Sequence, residues 1–179
     1  MSADMLERSR AALVVVDVQE AFRKAVGDFD RVAQRSAILV RGAHAIGVPV
    51  VVTEQYPRGL GATVPEVGAA IGELPRLPKT VFSAARAEGF DLGGRDQALL
   101  CGIETHVCVA QTALDLLRSG TQVHIACDAV ASRSDADRDT ALRRLEQAGA
   151  TLTSVEAALF ELLGEAGTPE FKAVQELVK

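Results

Sequence analysis

No apolar run in the sequence approaches the roughly 20 residues that a bilayer span requires; the longest, residues 11–16, has six. The first ten residues are charged and lack an apolar h-region, so no secretory signal is expected. Cysteine is scarce. Cys101, Cys108 and Cys127 are three, which cannot pair off fully, and no disulfide framework is expected. Positive charge is in deficit: 19 Lys and Arg against 24 Asp and Glu leave a net charge of −5. An acidic chain without a basic stripe argues against nucleic acid or an anionic membrane surface as the principal partner. Neither G-x-G-x-x-G nor a Walker loop occurs, and the segment Asp17-Val18-Gln19-Glu20-Ala21-Phe22 offers no glycine for close approach to a phosphate. With 179 residues, 48% hydrophobic and 24% charged, residues 1–179 are expected to form one globular, cytoplasmic domain.

Short apolar runs alternate with segments of helical period, the pattern of an α/β fold with a buried parallel sheet. Strands are expected at residues 13–16, 50–52, 79–82, 98–103, 123–126 and 150–153, and helices at 30–46, 105–119, 137–148, 155–163 and 169–178. The expected architecture is a three-layer α/β/α sandwich around a six-stranded parallel sheet of Rossmann-like order 3-2-1-4-5-6. Residues 53–78 are rich in glycine and proline and read as a long loop, a candidate substrate cover.

Ligands of open parallel sheets sit beyond the carboxyl ends of the strands, where strand order reverses. Here the reversal falls between strands one and four, so Asp17 and residues 102–108 face the expected crevice. An aspartyl-phosphate enzyme would also place an aspartate after strand one, but Gln19 stands where a second acidic ligand would be wanted. With Thr105 as N-cap, Cys108 falls in the first turn of the helix. Free backbone N–H groups and the helix dipole favour a thiolate there, lowering a thiol pKa from about 8.5 toward about 3.5–7.5. Cys101, inside a strand, and Cys127, at the end of one, read as core residues.

The run Gly102-Ile103-Glu104-Thr105-His106-Val107-Cys108-Val109 resembles the cysteine-hydrolase superfamily named after isochorismatase. Asp17-Val18-Gln19, Lys79, and Asp128-Ala129 with Ser132-Arg133 follow the same pattern in order. The stretch Thr53-Glu54-Gln55-Tyr56-Pro57-Arg58-Gly59-Leu60-Gly61 is similar to isochorismatase domain-containing proteins of poorly defined substrate. The resemblance implies a triad of Asp17, Lys79 and Cys108 cleaving a small amide-like C–N bond through a thioester. It implies a cis peptide at Ile103–Glu104, and an oxyanion hole from the N–H groups of Glu104 and Cys108. It also implies a homo-oligomer.

Nicotinamidase-type relatives hold a metal with Asp and His after strand two. Gln55 and Pro57 stand at those places, and His44, His106 and His124 all lie elsewhere, so neither metal nor other cofactor is expected. Retention of Cys108 favours acyl chemistry over the vinyl-ether hydrolysis of isochorismate, which needs no thiol. A non-catalytic interaction protein on the same fold is a further alternative. Phe22, Tyr56 and Phe82 are expected to wall the substrate pocket with Gln19, although Gln19 also suits backbone support. Arg133 is expected to tie a loop through Asp128.

Overall fold

The computed structural model describes residues 5–179; residues 1–4, the start of the charged N-terminal stretch, lie outside it. The central strand β1 (Ala11–Val16) is apolar throughout because both its faces are covered. Ala11, Leu13 and Val15 enter the core on one side, and Ala12, Val14 and Val16 enter it on the other. α1 (Phe29–Ile46) follows and ends at Gly47, whose φ of 78° lets its N–H turn back to the carbonyls of Ala43 and His44. Its buried stripe includes Phe29, Val32, Leu39, Val40 and Ile46. Each such side chain, fully buried, stabilises the fold by about 1.5–3 kcal/mol.

β2 (Val50–Gln55) pairs in parallel with β1. Two short helices come next, α2 (Pro57–Leu60) and α3 (Pro65–Ile71), each with a proline in its first turn, where no helical N–H is needed. Then come β3 (Arg76–Lys79), β4 (Gln97–Ile103), a π-helical turn at Thr105–Val109, and α4 (Ala110–Arg118). The chain closes with β5 (Gln122–Ala131), α5 (Asp135–Gln147), β6 (Thr151–Thr153), α6 (Val155–Leu163) and α7 (Pro169–Val178). The sheet is wholly parallel in the order β3-β2-β1-β4-β5-β6, as expected. α1, α6 and α7 cover one face, and α4 and α5 the other. Among the described residues no helix is long and apolar enough to cross a membrane.

Four local expectations are corrected. The third strand is Arg76–Lys79 rather than 79–82, because Pro78 is accommodated in an edge strand whose outer N–H needs no partner. Lys79 therefore ends that strand instead of opening it. Residues 53–78 are not one open loop: α3 buries Val67, Ala70 and Ile71 against the α1 side of the core, so that half is scaffold, not cover. Thr105 is no N-cap, since Glu104 occupies the extended capping position and makes no side-chain cap bond. Finally, β5 runs on to Ala131 through an irregularity: Leu100 pairs with Ile125, but Gly102 pairs with Val130. Three residues more on β5 than on β4 span that interval, which places Cys127 mid-strand and lifts Ser132 and Arg133 to the sheet's carboxyl edge.

Candidate active site

The crevice at the strand-order reversal is built by the last residues of β1, β2, β3 and β4. Val16 pairs with Thr53 on one side and Gly102 on the other. Gly102 has φ of 119°, and a Cβ added there would lie 1.9 Å from the carbonyl oxygen of Val16, so only glycine permits this approach. Asp17 leaves β1 with φ of 52°, a left-handed conformation that Asp tolerates better than most residues. This turns its side chain into the protein, where it is fully buried.

Asp17 accepts from Thr53 Oγ1 at 2.7 Å and from Lys79 Nζ at 2.6 Å. The Lys79 ammonium is also fully buried. It donates further to Gln55 Oε1 at 2.6 Å and to the carbonyls of Phe82 at 2.9 Å and Val81 at 3.3 Å. Cys108 Sγ lies 4.0 Å from the same Gln55 Oε1. The structure thus gathers Asp17, Lys79 and Cys108, with Gln55 among them. Burial first, and then the neighbouring Asp17 carboxylate, push the Cys108 thiol up to about 12, with Lys79 pulling the other way. The thiolate-favouring shift expected from the sequence is therefore reversed in the resting site. The Lys79 charge is already engaged by Asp17, and the sulfur sits in a π turn rather than at a regular helix start.

Gln55 and Thr53 were not anticipated as site residues. The signal was present: both lie on one face of β2 at the period of two that strands impose, beyond the three valines that marked the strand. Gln19 spends its amide on the backbone. It donates to the carbonyls of Gln55 at 3.0 Å and Gly61 at 2.6 Å, and accepts from the Gln55 N–H at 2.7 Å. It is a buried brace, not a pocket wall. Phe22 packs against the α1-side core. Tyr56 and Phe82 are 53% and 51% exposed, and Val81 is also an exposed apolar side chain. A cavity of about 350 Å³ lies beside Tyr56, Pro57, Arg58, Pro78, Lys79 and Thr80. Lys79 belongs to its lining, whereas Cys108 and Asp17 do not.

The peptide bond between Ile103 and Glu104 is cis. The Glu104 carbonyl accepts from Val107 at 3.1 Å and Val109 at 3.2 Å, the residues on either side of Cys108. Its buried carboxylate accepts from the Arg133 N–H at 2.9 Å and from Arg133 Nε at 3.0 Å. Arg133 therefore pairs with Glu104, correcting the expected tie to Asp128. Asp128 instead accepts from the Val155 N–H at the start of α6. Ser132 Oγ and His106 Nδ1 meet at 2.9 Å, a second tie between the end of β5 and the cysteine turn. Among the described residues no three His, Cys, Asp or Glu side chains are grouped to hold a metal, and the Gln55 side-chain oxygen, Oε1, accepts from Lys79.

A thiol, a carboxylate and an ammonium converge at the switch point of a parallel α/β sheet, which defines the class as a cysteine-bearing α/β protein of hydrolase architecture. The chain belongs to the isochorismatase family, whose domain matches residues 11–157. It is 48% identical over 170 residues to isochorismatase domain-containing protein 2 of Bos taurus, a match covering 93% of this chain and 82% of that protein. The structure of MAR1 ribonuclease from Caenorhabditis elegans superimposes with a TM-score of 0.91 at 40% identity, covering 98% of this chain and 92% of that one. The YcaC gene product of Escherichia coli, described as an octameric hydrolase of unknown specificity, gives a TM-score of 0.83 at 26% identity. That match covers 92% and 85% of the two chains.

Proposed function

We propose that the protein is a metal-independent cysteine hydrolase that cleaves the C–N bond of a small amide or ureide. The observation that carries this reading is the buried Asp17–Lys79 pair, 2.6 Å apart, set beside the Cys108 thiol. On substrate binding the Cys108 thiol gives its proton to Asp17 as the sulfur attacks the carbonyl carbon. The N–H groups of Glu104 and Cys108 hold the developing oxyanion. The C–N bond then breaks, the departing amine takes the proton from Asp17, and a thioester remains. Water, deprotonated by Asp17, attacks the thioester and releases the acid and the thiol.

Lys79 keeps Asp17 oriented and offsets the charge that forms on sulfur, while Gln55 fixes Lys79. A thiol that is neutral at rest suits this sequence, because the proton must pass to Asp17 during attack. The hydrolase description of the E. coli relative agrees with the reaction class, and its octameric assembly supports a homo-oligomer here, for which Tyr56, Val81 and Phe82 supply exposed apolar surface. The test is a panel of small amides and ureides assayed for released ammonia or amine. Wild type is expected to turn over at least one member, and Cys108→Ala to lose at least about a hundredfold in kcat while unfolding at the wild-type temperature. Wild-type turnover by Cys108→Ala rejects the mechanism.

A further inference from the structure

On the opposite side of the cysteine turn, α4, α5 and the turn at Ala84–Arg86 enclose a cleft of about 310 Å³ lined by Arg86, His106, Asp115, Arg118 and Arg144, among others. Three guanidinium groups from three separate elements thus line one cleft with a single carboxylate. Asp115, whose side chain is only 15% exposed, accepts from Arg86 Nε at 2.6 Å and Arg86 Nη2 at 2.8 Å, and from Arg118 Nη1 at 3.2 Å. One carboxylate therefore orients two arginines and neutralises only one charge. The hydrogen bond from Arg86 holds the Asp115 carboxyl down at about 2, so this brace keeps its charge at any physiological pH. Arg144 has no carboxylate within ion-pair distance among the described residues. His106 enters the same cleft with its Nδ1 fixed on Ser132.

Three arginines against one aspartate leave two positive charges concentrated in a concave site on a chain whose net charge is −5. A merely solvated surface gains nothing from massing like charges that repel one another. We propose that this cleft is a binding site for a small multiply charged oxyanion, the phosphate or pyrophosphate group of a metabolite. Planar guanidiniums match the paired oxygens of such a group, and charge-assisted bonds of this kind are about twice as strong as neutral ones. The lining of the cleft includes none of Asp17, Lys79 and Cys108, and the proposal does not depend on the hydrolytic reading.

Sodium pyrophosphate is the probe, titrated into the full-length protein by calorimetry while the imidazole signals of His44, His106 and His124 are followed by NMR. Saturable binding that moves the His106 signals and weakens at least about tenfold in both Arg144→Ala and Arg86→Gln supports the site. Arg144 is exposed and outside every packed contact described above, so loss of folding will not mimic loss of binding. Three results overturn the proposal: no saturable binding, binding that leaves His106 unmoved, or binding indifferent to both substitutions. Tighter capture of a short single-stranded RNA than of pyrophosphate by the same arginines also overturns it, replacing a small-anion site with a nucleic-acid surface.

Discussion

At Asp17 one carboxylate does two jobs that pull in opposite directions. It raises the resting pKa of the Cys108 thiol by its charge, yet in the proposed reaction it removes that thiol's proton. Asp17→Asn should therefore separate the two. Without the neighbouring negative charge the thiol ionises more readily, so Cys108 alkylation by iodoacetamide at pH 8 is expected to speed up about three- to tenfold. Turnover of any amide found in the panel is expected to fall at least about a hundredfold in the same variant. Peptide mapping assigns the alkylated cysteine. Slower alkylation would show that the carboxylate does not face the sulfur, and retained turnover would show that it is not the base.

At the scale of elements, the cysteine turn is held from β5, not only from its own helix. The irregular pairing of β5 brings Ser132 and Arg133 level with the turn, and the Glu104 carboxylate anchors Arg133 through two bonds. Glu104→Gln keeps the shape but removes the charge, weakening bonds worth about 1.5–3 kcal/mol in their charged form. Its expected signature is a loss of kcat of about tenfold or more with KM nearly unchanged, together with a fall in melting temperature of only a few degrees. An unchanged kcat would mean that the turn keeps its geometry without the clamp.

This element also marks the limit of what the sequence discloses. The six strands, their order and the placement of Asp17 at the switch point follow from apolar runs and topology rules that local composition obeys. The extension of β5 does not, because residues 127–131 mix Cys, Asp, Ala and Val without alternation, and their pairing depends on β4. β3 was displaced for a similar reason: Pro78 signals a loop until its strand is known to lie at an edge. Asp17 and Cys108 were legible from the strand ends and Lys79 from the family resemblance, whereas the pKa of Cys108 was not. It is set by burial and by Asp17, a residue 91 positions away in the chain.

For the molecule as a whole, two buried cysteines bear on its behaviour in alkali. Burial pushes Cys101 from 9.0 up to about 12, and Cys108 is raised to about 12 by burial and Asp17. Both thiols are easier to ionise in the unfolded chain. Their stabilising contribution is complete below about pH 9 and is lost as pH climbs toward the folded-state values, by up to about 1.4 kcal/mol per thiol for each pH unit. Urea midpoints measured at pH 8, 9 and 10 are expected to fall above pH 9, and to fall less steeply in Cys101→Ala. A midpoint with the same pH slope in that variant would assign the loss to other groups.

Both side chains of the Asp17–Lys79 pair are buried in the resting site, and the ammonium is steadied by main-chain carbonyls as well as by a carboxylate. Buried charges are screened far less than exposed ones, whereas the arginine cleft lies open to the counter-ion atmosphere, where about 0.15 M salt shortens the reach of a charge to about 8 Å. Ionic strength thus divides the molecule into two electrostatic territories. The interior pair keeps its strength in brine as in dilute buffer, and the cleft's attraction for an anion fades as salt is added.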